Sequence, residues 1–101
     1  MNSIIKNNLK QLRTLCEKYE VKVLYVFGSA STEDLLPSSD IDILISFKDI
    51  TIEQYTENYF SLHNDLEKLF DRKIDLITEN SLRNPYFIEG VEKTKKLLYA
   101  A

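Results

Sequence analysis

The chain has 101 residues, of which 44% are hydrophobic and 29% charged, a balance that points to one globular domain spanning residues 1–101 and excludes a disordered or membrane-embedded chain. Thirteen Lys and Arg against sixteen Asp and Glu leave a net charge of −3, which argues against gripping long nucleic acid by phosphate neutralisation. The apolar run Val23 to Phe27 is far shorter than the roughly 20 residues of a membrane span, so no membrane partner is expected. Met1 to Lys10 holds no secretory core segment, and the single Cys16 cannot form an internal disulfide, so a reducing cytoplasm is the expected compartment.

Ile5, Leu9, Leu12, Cys16 and Tyr19 recur at steps of four and three, which predicts an amphipathic helix from about Ser3 to Tyr19. Val21 to Phe27 is β-branched and aromatic and reads as a buried strand that stops at Gly28. Ser29 to Leu35 reads as a short helical turn, followed by a loop through Pro37. A second strand runs from Asp40 or Ile41 to Phe47, with Ile41, Ile43 and Ile45 on one side and Asp40, Asp42 and Leu44 on the other. Thr51 and Gln54 form a capping box at the head of the longest helix, whose stripe is Ile52, Tyr55, Tyr59, Leu62, Leu66 and Leu69.

Lys73 to Thr78 reads as a third strand with Asp75 at its middle. Asn84-Pro85 opens a last helix expected to bury Phe87, Val91, Thr94 and Leu98. The order is α-β-α-β-α-β-α, an α/β (α+β) chain. A mixed three-stranded sheet with helices on one face satisfies it, the first two strands antiparallel and the second and third parallel.

This topology sets Gly28-Ser29 beside Asp40 and Asp42, and lets Asp75 lie next to Asp42 on the same face. Three clustered carboxylates repel by about 4 kcal/mol per pair at 4 Å and an effective dielectric near 20, so they must take up protons or bind cations. Hard oxygen ligands suit Mg²⁺, which is usually held by one or two carboxylates together with substrate phosphates. A glycine and a serine hydroxyl at a helix N-terminus can cradle those phosphates. Metal-assisted phosphoryl or nucleotidyl transfer is the chemistry this combination predicts.

Gly28-Ser29, ten residues, Asp40-x-Asp42 and a later strand aspartate resemble the signature of the DNA polymerase β nucleotidyltransferase superfamily. Size and element order look most like its minimal nucleotidyltransferase (MNT) branch. The resemblance implies that Asp40, Asp42 and Asp75 are catalytic and hold two Mg²⁺ ions, with Asp75 helping to deprotonate the acceptor. It implies that Gly28 and Ser29 bind the triphosphate of ATP, and that a hydroxyl attacks the α-phosphate. Minimal members are often antitoxins paired with a helical HEPN toxin, a ribonuclease, and some silence it by adding AMP to a toxin tyrosine. A HEPN-type toxin is therefore the implied partner, and a homo- or hetero-oligomer is compatible with that role.

The family pattern Gly-Ser-x-Ala-Arg-Gly meets Ser31, Thr32 and Glu33 here, followed by Asp34. The absent arginine removes a phosphate-pairing donor and leaves that task to Lys22 or to a partner's side chain. This departure favours the alternative, a degenerate member that neutralises its partner by stoichiometric binding. The three aspartates oppose it, because clustered unpaired charge is of no use to a pure binder. Template-directed polymerisation or tailing is disfavoured by the net charge.

His63, the one histidine, reads as a surface or half-buried helix residue, and Cys16 as core. Tyr55, Tyr59 and Tyr86 are expected in packing, with a partner surface as the other reading. Lys93, Lys95 and Lys96 read as a solvated helix face, and Gly90 weakens its helix for a reason the spacing leaves open.

Overall fold

The computed structural model describes residues 2–33 and 35–101 of the chain. Helices α1 (Ser3–Asn7) and α2 (Leu9–Lys18) replace the single helix expected from the apolar stripe, which breaks at Asn8. There the backbone leaves helical geometry, and the Asn8 side chain donates back to the Ile4 carbonyl at 2.8 Å, competing with helix continuation. Strands β1 (Val21–Phe27) and β2 (Ile41–Phe47) pair antiparallel, with Tyr25 opposite Leu44 and Phe27 opposite Asp42. Between them the expected turn over 29–35 is a single 3₁₀ turn at Gly28–Ser31.

Helix α3 (Ile52–Phe70) begins at the capping box of Thr51 and Gln54 and ends at Asp71, which adopts the left-handed conformation of a helix stop. It carries the chain across to β3 (Ile74–Thr78), parallel to β2, with Asp42 opposite Asp75. Asn84 then caps α4 (Pro85–Thr94), accepting from the Tyr86 and Phe87 amides.

Two expectations fail at the C-terminus. The last helix stops at Thr94, and Lys96–Ala100 forms a fourth strand, β4, antiparallel to β1. The sheet order is β3-β2-β1-β4, four strands where three were expected. The cause lies in β1. Its own side chains serve both faces of the sheet, Leu24 and Val26 on one and Tyr25 and Phe27 on the other, which makes it a central strand with partners on both edges. Leu98 is buried as a strand residue while Leu97 faces out. Leu98→Ala is therefore expected to cost about 2–5 kcal/mol in chemical denaturation, and Leu97→Ala less than about 0.5 kcal/mol. Similar losses for both would contradict the strand.

The main core joins α1, α2 and α3 to one face of the sheet through Ile5, Leu12, Leu24, Val26, Ile43, Ile45, Leu62 and Leu66, with Cys16 buried among them as expected. Helix α4, expected on the same face as the others, packs instead on the opposite one, where Val91 meets Phe27 and Leu44, because these alternate residues of β1 and β2 also present an apolar surface there. This second layer is small, and it leaves the start of β2 uncovered except by α4.

The open edge of β3 is closed by one stripe of α3. Tyr59 donates to the Leu76 carbonyl at 2.6 Å, His63 Nε2 lies 2.9 Å from the Ile74 carbonyl, and Glu67 accepts from the Ile74 amide at 3.1 Å. Side chains at successive steps of four satisfy backbone groups that would otherwise recruit another strand. His63 thus has a structural partner, in keeping with its reading as a helix residue.

Candidate active site

Gly28 ends β1 with φ +63, a left-handed conformation that glycine adopts without strain. The space matters as much as the angle. A Cβ at this position would stand 2.7 Å from Asp42 Oδ2, so only glycine lets the carboxylate come this close to the backbone. Its amide donates to Thr94 Oγ1 at 3.0 Å, and Thr94 in turn donates to the Gly90 carbonyl, which ties the turn to α4. Thr94, expected in the core, is instead this tether. It also means that Gly28 cannot offer its own N–H to a phosphate while the tether holds.

The turn is held from two further sides. Buried Ser31 donates to the Gly28 carbonyl at 2.8 Å. Asn2, also buried, caps α1 and donates from Nδ2 to the carbonyls of Ala30 and Thr32 at 2.9 and 3.0 Å. Ser29 Oγ makes no hydrogen bond to another described residue. Asp34 lies outside the described residues.

Asp42 and Asp75 stand opposite one another on parallel strands, close enough for a hydrogen bond whenever one of the two carboxyls is protonated. Burial pushes the Asp42 carboxyl up to about 6, with further upward contributions from the charges of Asp75 and Asp40 and from the hydrogen bond. Two of the three expected carboxylates therefore meet, and the third stands beside them. Asp40 contributes its charge but lies against Lys73, whose Nζ is 4.0 Å from Asp40 Oδ2. Among the described residues, no three His, Cys, Asp or Glu side chains are arranged to hold a metal ion together. The donor chemistry nevertheless fits a hard divalent cation. All the donors are carboxylate oxygens, and half-buried Asp42 holds its proton more tightly beside Asp75 and Asp40, a charge that a cation can offset in the proton's place.

The basic side chains near the site are not the expected ones. Lys22 lies at the far end of β1, about 20 Å along the strand from Gly28, and cannot replace the absent arginine. Arg72 and Lys73, just before β3, are nearer. Arg72 Nη1 donates to the carbonyls of Leu36 and Ser39 at 3.0 and 3.1 Å, pinning the loop that leads into Asp40. Sequence reasoning missed both because they belong to the parallel neighbour, some thirty residues away in the chain. It also missed the contribution of α4. Phe27, Gly28 and Asp42 share an open cleft of about 310 Å³ with Tyr86, Phe87, Gly90, Val91 and Thr94.

A family model described as "Polymerase beta, Nucleotidyltransferase" matches residues 10–101. The chain belongs to this nucleotidyltransferase family. A candidate protein adenylyltransferase of Methanocaldococcus jannaschii is 41% identical over 85 residues, covering 83% of each chain. Among solved structures, a chain of a toxin–antitoxin crystal structure with AMP-PNP aligns with a TM-score of 0.72 at 23% identity, covering 93% of this chain and 74% of that one. A chain from the complex of a tri-AMPylated Shewanella oneidensis HEPN toxin with its MNT antitoxin aligns with a TM-score of 0.66 at 21% identity, covering 95% and 72%. These structural likenesses are of fold, and they match a nucleotidyltransferase with a small mixed sheet. No described helix is long and apolar enough to cross a membrane.

Proposed function

We propose that this nucleotidyltransferase is a Mg²⁺-dependent, single-domain enzyme that transfers AMP from ATP to a hydroxyl of a protein partner, as the antitoxin of a HEPN-type toxin in the cytoplasm. The observation that carries the reading is the Asp42–Asp75 pair beside Gly28, the only residue type that fits against that carboxylate. The relatives support the partner class, being named for protein adenylylation and for a toxin–antitoxin complex with an AMPylated HEPN toxin.

Asp40, Asp42 and Asp75 would hold the metal, which when bound supplies charge neutralisation on the triphosphate and activation of the attacking oxygen. Ser29 contributes a free hydroxyl to phosphate oxygens, and Lys73 contributes a cation at the rim of the site. Asp75 takes the proton of the acceptor hydroxyl. The acceptor oxygen forms its bond to the α-phosphorus, the bond from that phosphorus to the bridging oxygen breaks, and pyrophosphate leaves. The second reading, stoichiometric neutralisation without chemistry, is favoured by Thr32 and Glu33 standing where the family pattern has arginine and glycine.

The test is label transfer from ATP labelled on the α-phosphate, with Mg²⁺ and lysate of the source cell, alongside the Asp75→Asn variant. A labelled protein band that disappears with the variant is the expected result. Label that is indifferent to Asp75→Asn would refute the assigned site. A partner that co-purifies unlabelled would favour stoichiometric binding.

A further inference from the structure

The cleft that begins at Gly28 and Asp42 does not end at the carboxylates. It runs along α4, where Phe27, Phe87 and Val91 make its wall apolar. Phe87 is fixed there, its ring edge-on to Phe27 at 6.0 Å and 86°. Tyr86, in the first turn of α4, stands at the rim with 86% of its surface exposed, far more than ring packing requires. A larger cleft of about 610 Å³ lies between α2 and α3, lined by Lys10, Asp65 and Lys68, but it has no continuity with Asp42.

Gly90 supplies an independent observation. A glycine inside a helix is disfavoured against alanine, and close packing on a neighbour is the usual reason to keep one. No such neighbour exists here, because a Cβ on Gly90 would meet nothing within 4 Å. The space it leaves is part of the cleft.

We propose that this cleft seats the base of the nucleotide, which stacks on Tyr86, and that Gly90 keeps the cleft open for it. The proposal rests on the nucleotide site put forward above, and it adds the residues that read the base. A volume of about 310 Å³ with apolar walls suits a flat ring and is too small for a helix of a partner protein. Its continuity with Gly28 and Asp42 favours the nucleotide as occupant, because the base is joined through its sugar to the phosphates held there. The acceptor arrives on a separate chain and has the open side of the sheet end available.

The experiment is equilibrium binding of ATP and of inorganic tripolyphosphate, each with Mg²⁺, to the wild type and to Tyr86→Ala, Tyr86→Phe and Gly90→Leu. Loss of one base-stacking ring corresponds to about a five- to hundredfold weaker Kd, so Tyr86→Ala should weaken ATP by that factor and Tyr86→Phe should restore it. Gly90→Leu should weaken ATP at least about tenfold while its thermal midpoint stays at or above that of the wild type, because leucine is the better helix former. Tripolyphosphate, which has no base, should bind all four proteins alike. Unchanged ATP binding in both Tyr86→Ala and Gly90→Leu overturns the proposal, and if protein labelling alone falls, the cleft belongs to the acceptor. A wild type that binds neither ATP nor tripolyphosphate removes the nucleotide site itself.

Discussion

Asp42→Asn is expected to abolish nucleotidyl transfer and to raise the thermal midpoint of the metal-free protein. The two effects have one cause. Asp42 is half-buried against Asp75, with Asp40 nearby, and its carboxyl titrates near 6 where 3.8 is ordinary. The native state therefore holds this proton more tightly than the unfolded chain does. Stability consequently falls as pH rises from about 4 through 6, and the full penalty is present above that range. Asparagine carries no charge to bury and can still hydrogen-bond Asp75. After discounting for the water that reaches the site, the gain is on the order of 1–2 kcal/mol near pH 7.5, or several degrees in a domain of this size. The wild type should melt higher at pH 5 than at pH 7.5, and the variant should show a smaller difference. Retained transfer would remove Asp42 from the chemistry. A lower midpoint with an unaltered pH dependence would contradict the electrostatic account.

Gly28→Ala is expected to act on the same carboxylate from the other side. Alanine at φ +63 costs about 1–2 kcal/mol from backbone geometry alone. Its Cβ also falls 2.7 Å from Asp42 Oδ2, so the carboxylate must move away from its place beside Asp75. A displacement of about 1 Å at a reacting centre can cost on the order of a hundredfold in rate, and transfer should fall by at least that much. The two contributions can be separated. In an Asp42→Ala background the contact is gone and only the backbone cost remains, so Gly28→Ala should destabilise that variant less than it destabilises the wild type. Equal losses in both backgrounds, measured by chemical denaturation, would show that the close approach contributes nothing.

The candidate site was legible in the sequence to the extent that strand geometry could carry it. Alternation placed Asp40, Asp42 and Leu44 on one side of β2, and the connection through a long helix made β3 its parallel neighbour, which set Asp75 opposite Asp42. That reasoning did not extend to side-chain direction. Asp40 leans on Lys73, a contact that depends on how the loop pinned by Arg72 enters β2. Asn2 read as one more polar residue at the start of the chain. Its two hydrogen bonds to the 3₁₀ turn exist only because α1 packs beside that turn.

By itself the sequence determined the three main strands, the long capped helix, the Asn84-Pro85 helix start and the spacing of Gly28, Asp40, Asp42 and Asp75. Each of these rests on a local signal: a two-residue or three-to-four-residue period, a cap, or a glycine after an apolar run. Only the tertiary structure decided the fate of Lys96–Ala100, because Val91, Thr94 and Leu98 satisfy a helical period equally well. The deciding factor was the second open edge of β1, which takes up those residues as a strand. The end of α4 followed from that choice. With the helix stopped at Thr94, its tether to Gly28 and the cleft between them came into being, which no periodicity in the chain encodes.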